Sequence, residues 1–209
     1  MTHVLIIDDE ADIRYTLQEI CLEAGWRSSE AANGTEGLAL FEKEHPDLVL
    51  CDYHMPEKDG LITVKELRKR SKLVPIVVLT VDERQEIADA FLEAGASDFA
   101  LKPIKAPDLI SRLKVHLRLF RADAEAGNEK EIYLVKGISK MTLRLIKEHL
   151  INSPCALTIA DIADNSSLAY PTVHRYLMYL MDIGEVEVEA DYGKVGRPKN
   201  KYILKRIGV

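Results

Sequence analysis

Short apolar runs alternate with helical patterns along the first 120 residues of the chain. The runs lie at residues 4–7, 47–51, 75–79 and 97–101, with a weaker candidate at 27–31. Runs of this length are typical of buried strands, whereas the segments between them repeat apolar residues every three or four positions, as helices do. Five strand–helix units predict an α/β fold, in which helices cover both faces of a doubly wound, five-stranded parallel sheet.

The helical pattern is clearest at residues 11–24, which have one apolar face and are followed by Gly25 as a stop signal. Similar spacing returns in three later sets of apolar residues: Leu61, Val64 and Leu67; Ile87, Phe91 and Leu92; and Leu109, Leu113, Leu117 and Phe120. We expect these side chains to face the sheet.

The last third of the chain has a different pattern. Residues 139–152, SKMTLRLIKEHLIN, have one apolar helical face, and a short helix is predicted to begin near Thr158. After a tight turn at residues 164–167, a third helix begins near residues 169–171, where Pro171 fits a first helical turn. Two helices joined by a short turn, the second with a polar outer face, predict a helix-turn-helix.

The apolar period changes from helical to two after Gly184. In residues 185–190, EVEVEA, small apolar residues alternate with glutamate, as in a strand with one apolar face. Residues 191–198 follow as a loop and residues 201–204 as a return strand. This hairpin predicts the wing of a winged helix, so we expect a small α+β domain at 138–209, after an α/β domain at 1–121 and a linker at 122–137.

Charge supports this division into two domains. The chain has 28 Lys and Arg against 34 Asp and Glu, a net charge of −6. Residues 1–120 have 15 basic and 22 acidic side chains, a net of −7, whereas residues 121–209 have 13 and 12, a net of +1. The two domains are therefore expected to have different partners.

The composition of the chain and its first residues indicate the cellular compartment. Apolar runs stay well short of the roughly 20 residues that a membrane span needs. The first residues, MTHVLIIDDE, turn acidic early and have no basic leader, unlike a secretory signal. Cys21, Cys51 and Cys155 are odd in number and lie in apolar contexts, which predicts reduced core thiols. We expect a cytoplasmic protein with no membrane partner.

Polar side chains follow four of the predicted strands. Asp8 and Asp9 end the first strand, Asp52 the third, Thr80 the fourth and Lys102 the fifth. Because the carboxyl ends of parallel strands meet at one edge of a sheet, these side chains are expected to converge. Carboxylates brought together repel one another, which predicts a cation among them, and hard oxygen ligands suit Mg²⁺. Singly, each residue has a simpler structural role, such as a helix cap or a turn hydroxyl.

The motifs IIDDE, LCDYHMPEKDG, VLT and LKP, taken in this order, resemble the receiver domain of two-component response regulators, which has a flavodoxin-like fold. The resemblance covers about the first 120 residues. It implies that Asp52 accepts a phosphoryl group from a sensor histidine kinase. It also implies that Asp9, Asp52 and the backbone carbonyl of His54 bind Mg²⁺, with Asp8 acting largely through water.

The same resemblance implies how the phosphoryl group is sensed. Thr80 closes onto a phosphoryl oxygen, Lys102 pairs with the phosphoryl charge, and Phe99 is an aromatic switch that turns inward as Thr80 moves. The bond between Lys102 and Pro103 is expected to be cis. Movement of these residues is expected to alter the surface of the fourth helix, the fifth strand and the fifth helix, and to favour a homodimer on phosphorylation.

Two further positions concern how long the phosphoryl group survives. His54 lies two residues after Asp52, and Asp82 lies two residues after Thr80. In receivers these positions flank the path of the hydrolytic water. His54 is bulky enough to obstruct that path and Asp82 could orient the water, so both are expected to tune the lifetime of the phosphoryl group.

A basic segment ends this acidic chain. Residues 192–206 contain six Lys and Arg and no Asp or Glu. In a hairpin after a helix-turn-helix, these bases predict contacts with promoter DNA, and Arg197 between Gly196 and Pro198 could enter a minor groove. The candidate DNA contacts are Lys194, Arg197 and Lys199 in the wing and Tyr170, Thr172, His174 and Arg175 in the preceding helix. The alternative is a solvated basic turn.

The motifs RYL, YL and DYGKVGRP resemble the effector domain of the citrate and C4-dicarboxylate response regulators. The sequence departs from that group at Ala169, where a Ser or Thr cap is expected, and at Pro171.

From the receiver motifs and the helix-turn-helix with its basic wing, we predict a phosphorylation-controlled transcription regulator and not an enzyme. The first alternative is an aspartyl-phosphate phosphatase, but His54 occupies the position of its usual second carboxylate. The second is a module whose winged helix binds another protein.

Overall fold

The computed structural model describes residues 1–56, 59–125, 133–135, 138–191 and 199–205. The chain forms two compact units, Met1–Ser139 and Lys140–Val209. Among the described residues, none of the helices combines the length and the apolar character needed to cross a bilayer.

The first unit is built on a five-stranded parallel sheet. Its strands are β1 (His3–Ile7), β2 (Arg27–Ala31), β3 (Leu48–Asp52), β4 (Ile76–Thr80) and β5 (Asp98–Leu101), in the spatial order β2-β1-β3-β4-β5. Strands β1, β3 and β4 are buried along their whole length because helices cover both faces of the sheet. The predicted α/β class is confirmed, with strand bounds shifted by one residue from the apolar runs.

Five helices alternate with these strands: α1 (Ala11–Glu23), α2 (Gly34–Glu44), α3 (Gly60–Arg70), α4 (Gln85–Ala94) and α5 (Ala106–Glu125). Side chains cap two of them, since Asn33 Oδ1 accepts from Glu36 N at 2.9 Å and Asp59 Oδ1 accepts from Ile62 N at 2.8 Å. One core cluster joins the sheet to α1 and α5, and it includes Ile6, Leu17, Leu50, Trp26, Leu113 and Leu117.

The segment predicted as a linker, residues 122–137, contains regular structure. Helix α5 continues through Glu125, in agreement with the Ala- and Glu-rich sequence that favours helix. Strand β6 (Tyr133–Val135) then pairs antiparallel with β7 (Ile138–Ser139).

The second unit has three helices and a hairpin. Helices α6 (Lys140–Asn152), α7 (Ile159–Ser166) and α8 (Tyr170–Asp182) precede the antiparallel strands β8 (Val186–Asp191) and β9 (Lys199–Leu204). A capping box between Thr158 and Asp161 begins α7, and Ser167, at a left-handed φ of 56°, makes the turn into α8. The predicted small α+β unit with a helix-turn-helix and an antiparallel hairpin is therefore present.

Two expectations about apolar residues change. The hairpin face is only partly covered, because Val186 is buried while Val188 is 37% exposed.

The three cysteines differ in exposure. Cys21 and Cys51 are buried free thiols, and burial raises the pKa of Cys21 to about 12. Cys155 is exposed, so the prediction that it is a core thiol is wrong. Its position after Ser153 and Pro154, outside any helix or strand, takes it to the surface.

Candidate functional site

Three carboxylates meet at the carboxyl edge of the sheet. Oxygen atoms of Asp8, Asp9 and Asp52 all lie within 4.8 Å of one another. They converge because β1 and β3 are neighbours whose register pairs Ile7 with Cys51, so Asp8 and Asp52 follow at the same level. Asp8 and Asp52 are buried, whereas Asp9 is exposed. We name these three side chains the acidic cluster.

Lys102 places one positive charge against the acidic cluster. Its Nζ lies 3.0 Å from Asp8 Oδ2 and 2.7 Å from Asp52 Oδ1. Burial alone would lower the pKa of Lys102, but hydrogen bonds with Asp52 and Asp8 outweigh it and raise that pKa. Burial also raises the pKa of Asp8, against the bonds from Glu10 N and Lys102. Lys102 is therefore a fixed cation between two carboxylates.

The backbone around Lys102 holds its side chain in place. Lys102 N donates to Thr80 O at 2.8 Å, which continues the pairing of β4 with β5 beyond Leu101. The peptide bond between Lys102 and Pro103 is cis, as expected from the sequence. The ammonium group therefore reaches back toward β1 and β3 from the end of β5.

Gly60 brings the start of α3 against the end of β3. Gly60 N donates to Tyr53 O at 2.9 Å, and a Cβ at residue 60 would lie 2.2 Å from Asp52 O. Real Cβ atoms do not approach a backbone oxygen so closely. Only glycine at residue 60 therefore allows this close contact with the backbone of Asp52. The sequence motif LCDYHMPEKDG contains this glycine but does not show why it is needed.

Replacing Gly60 by alanine should lower the free energy of unfolding by about 3 kcal/mol, because backbone atoms must move apart. Urea denaturation would measure the loss. Gly37→Ala is the matched control, since its Cβ would meet only the Ile7 side chain, which can move. Equal losses in both variants would contradict a rigid contact between α3 and β3.

Thr80 and Phe99 both lie inside the first unit. Each is 4% exposed, and Phe99 is paired in register with Val78 of β4. Thr80 Oγ1 accepts a hydrogen bond from Asp82 N at 2.9 Å. Phe99 thus occupies the inward position in this structure, and its role as a switch stays a prediction.

His54 and Asp82, the two residues expected to affect the lifetime of the phosphoryl group, differ in the contacts that hold them. His54 is exposed, and its ring lies 4.0 Å from that of Tyr53, between centroids. Asp82 is held by Arg84, whose guanidinium contacts both carboxylate oxygens at 2.5–3.0 Å. These hydrogen bonds lower the pKa of Asp82 to about 2. Arg84 was not among the residues predicted from the sequence, and its position two residues after Asp82 was the available signal.

The candidate DNA contacts on helix α8 lie on two different sides of the helix, one outer and one buried. Tyr170 is 53% exposed, and His174 and Arg175 are half-buried on the outer side of the helix. Thr172 is fully buried, so the prediction that it contacts DNA is wrong. Its position in the helix turns it toward the side of Val173 and Tyr176, which form the core of the second unit.

The wing residues are described only in part. Lys194 and Arg197 lie outside the described residues. Lys199 begins β9, where its backbone pairs with Asp191 across the hairpin. Their contacts with DNA stay predictions from the sequence.

Residues 4–114, more than half of the chain, match the response regulator receiver domain family. The protein is a response regulator. Residues 146–190 match the IclR helix-turn-helix domain family, so this response regulator combines a receiver with a DNA-binding helix-turn-helix.

Several curated relatives align with this chain over most of their own length. The response regulator is 29% identical to the probable C4-dicarboxylate response regulator DctR of Bacillus subtilis, over 97% of this chain and 96% of that protein. It is 28% identical to the transcriptional regulatory protein CitT of the same organism, over 98% and 99%. It is 30% identical to a probable DctR of Halalkalibacterium halodurans, over 84% and 83%. The resemblance to the citrate and C4-dicarboxylate regulators is confirmed.

Solved structures support the fold of the receiver. The chemotaxis protein CheY4 of Vibrio cholerae superposes with a TM-score of 0.53 at 32% identity, covering 55% of this chain and 97% of that one. A response regulator from Chloroflexus aurantiacus gives a TM-score of 0.54 at 33% identity, covering 56% and 98%. Together, the family matches and the curated relatives show that this response regulator is homologous to transcriptional response regulators.

Proposed function

We propose that this response regulator accepts a phosphoryl group on Asp52 from a sensor histidine kinase and then binds promoter DNA as a homodimer. One observation carries the proposal: the buried carboxylate of Asp52 lies 2.7 Å from Lys102 Nζ and beside the carboxylates of Asp8 and Asp9. A carboxylate in such a place can act as a nucleophile toward phosphorus, while the neighbouring ammonium offsets the charge that arrives.

The side chains around Asp52 have separate tasks in this proposal. Lys102 already contacts Asp52 Oδ1, so it can follow the phosphoryl group with a small movement. Thr80 Oγ1 accepts from Asp82 N, which leaves its own hydroxyl hydrogen to donate to a phosphoryl oxygen. Phosphorylation adds about two negative charges, so these two donors gain a strong acceptor.

The acidic cluster fits Mg²⁺. Its oxygen donors are hard ligands, and Asp9 is exposed on the solvent side, where water can complete the coordination. Asp8, Asp9 and Asp52 would hold the ion together with the backbone carbonyl of His54. When bound, Mg²⁺ supplies positive charge that stabilises a transferring phosphoryl group. Lys102 neutralises part of the carboxylate charge in either case.

His54 and Asp82 are proposed to set how long the phosphoryl group lasts. His54→Ala should speed dephosphorylation several-fold because it removes a bulky exposed group near Asp52. Asp82→Ala should slow it, since it removes the carboxylate that could orient water. Decay of the phosphorylated protein, followed by intact mass, measures both rates. An unchanged half-life in both variants would exclude these residues from hydrolysis.

The proposed DNA interface has two parts. The outer side of α8, where Tyr170 is exposed and His174 and Arg175 are half-buried, has the length of a helix that enters the major groove. Lys194, Arg197 and Lys199 would add backbone and minor-groove contacts from the wing. Binding to any duplex should therefore weaken strongly as salt rises.

The test compares the protein with and without a small phosphodonor and Mg²⁺. Sedimentation should show a shift from monomer to dimer, and titration of duplex DNA should show tighter binding after phosphorylation. Asp52→Asn, treated identically, is the control and should show neither change. If the mass stays the same while DNA binding tightens, phosphorylation acts by another route, such as release of the second unit, and the dimer part of the proposal is wrong.

The alternatives predict different results. An aspartyl-phosphate phosphatase would turn over a generic phosphate ester, whereas a regulator that is not an enzyme would not. A protein-binding winged helix would not bind random duplex DNA at low salt. We propose that the protein works in the cytoplasm, where a kinase and promoter DNA are both within reach.

A further inference from the structure

A cavity of about 500 Å³ lies at the edge of the sheet opposite the acidic cluster. Thr2 and Trp26 precede β1 and β2 and line one side of it, and α5 lines the other. The lining residues are Thr2, Trp26, Lys114, Leu117, Arg118, Arg121 and Ala122. We name this space the α5 cavity.

The charge of the α5 cavity opposes that of the domain around it. Lys114, Arg118 and Arg121 line it, and among the residues that the structure describes no Asp or Glu does. Residues 1–120 nevertheless carry a net charge of −7, from 15 basic and 22 acidic side chains. The three cations follow one another at spacings of four and three residues, which places them on one side of the helix, where like charges repel.

Within the described part of the chain, no ion pair involves Lys114, Arg118 or Arg121. Arg121 instead donates to Thr2 Oγ1 at 2.9 Å, which fixes its guanidinium beside the cavity. The helix dipole explains at most part of this arrangement, because Lys114 lies about three turns before the end of α5 and dipole effects fade within the last turn.

The base of the α5 cavity is apolar and fixed. Trp26 is 8% exposed and Leu117 is 4% exposed, and both belong to the core cluster. Trp26 N donates to Cys21 O at 2.9 Å, and Arg27 N donates to Thr2 O at 3.0 Å. A ligand would therefore meet the small exposed parts of Trp26 and Leu117, on a side of the cavity that is already in place.

We propose that the α5 cavity binds a small organic molecule that has a planar or apolar body and one or two oxyanion groups, carboxylate or phosphonate in type. The volume is within the range of about 300–1,000 Å³ that small-molecule sites occupy. The guanidinium groups of Arg118 and Arg121 suit bidentate contact with such oxyanions, and Lys114 adds a point charge. The proposal does not depend on phosphorylation at Asp52.

Trp26 makes the test direct, because it is the only tryptophan in the chain. Its fluorescence would be followed during titration with isophthalate, phenylphosphonate and the neutral analogue benzamide, without Mg²⁺ and at constant ionic strength. We expect a saturable change with isophthalate or phenylphosphonate, and benzamide should bind at least about tenfold more weakly, because it has no oxyanion group to pair with the cations. The stronger of the two anions identifies the preferred oxyanion.

Variants assign the signal to the α5 cavity. Lys114→Gln and Arg118→Gln, made separately and together, should each weaken binding of the anions by about tenfold. Lys72→Gln is the matched control, an exposed lysine far along the chain from α5, and should bind as the wild type does. Thermal unfolding reports whether each variant is folded.

Any one of three results would overturn the proposal. The first is no saturable fluorescence change with either anion, the second is an affinity for benzamide equal to that for the anions, and the third is an unchanged affinity for the anions in both single variants. A fluorescence change with duplex DNA alone would also overturn it, because it would show that the cations bind a polyanion instead of a small molecule.

Discussion

Asp52→Asn should lose all phosphoryl incorporation, while the wild-type protein takes up a single phosphoryl group from a small phosphodonor with Mg²⁺. Asparagine keeps the shape of aspartate, so Lys102 Nζ can still contact the side-chain oxygen that now lies 2.7 Å away. An amide is a poor nucleophile toward phosphorus, and so the acyl phosphate cannot form. Intact-mass measurement separates the two outcomes without a radiolabel.

Asp59→Asn is the matched control for this experiment. Asp59 caps α3 through its bond from Ile62 N, and asparagine caps a helix as well as aspartate does. The variant therefore removes a carboxylate from the same loop without disturbing the fold, and it should be phosphorylated normally. Equal incorporation in Asp52→Asn and the wild type would disprove Asp52 as the acceptor.

Arg197→Ala should weaken DNA binding by about 1–3 kcal/mol on a duplex whose central site is flanked by A·T pairs, and by less on a G·C-flanked copy. A narrow A·T minor groove concentrates negative potential, so an inserted guanidinium gains most there. Arg197→Lys should recover only part of the loss, because a strongly hydrated ammonium enters a narrow groove less readily. Titration of both duplexes at two salt concentrations measures these differences.

Control variants show how the result for Arg197→Ala should be interpreted. Lys194→Ala or Lys199→Ala should weaken binding on both duplexes alike and reduce the salt slope by about 1. Arg144→Ala, an exposed arginine that pairs with Glu148 on α6, should leave binding unchanged. Equal weakening of both duplexes by Arg197→Ala would make the wing only a phosphate clamp, and no weakening would leave the basic segment as a solvated turn.

The sequence predicted the acidic cluster because each of its members follows a buried strand. The strands β1, β3 and β4 are buried on both faces, so they are nearly uniform apolar runs that are easy to recognise. Strand β2 gave a weak signal for the opposite reason, because it lies at the edge of the sheet and only one of its residues RSSEA, Ala31, is buried. The adjacency of β1 and β3 came from topology, which apolar runs do not encode.

The failures have a common physical cause, since they depend on which way a side chain faces or how closely two backbones approach. Thr172 is polar, yet its place on α8 buries it, and only the packing of the three helices decides this. The close approach at Gly60 involves backbone atoms of β3, which a sequence pattern does not reveal. Arg84 is one of many exposed arginines until the carboxylate of Asp82 is seen beside it.

Two residues described above equip this chain with an optical ruler. The sole tryptophan, Trp26, lies in the first unit, and Cys155, the one exposed thiol among the three, lies in the second. Because Cys21 and Cys51 are buried, a thiol-reactive acceptor dye should attach to Cys155 alone. Energy transfer from Trp26 to that dye would then report the separation of receiver and DNA-binding unit before and after phosphorylation, in a protein with no engineered residue.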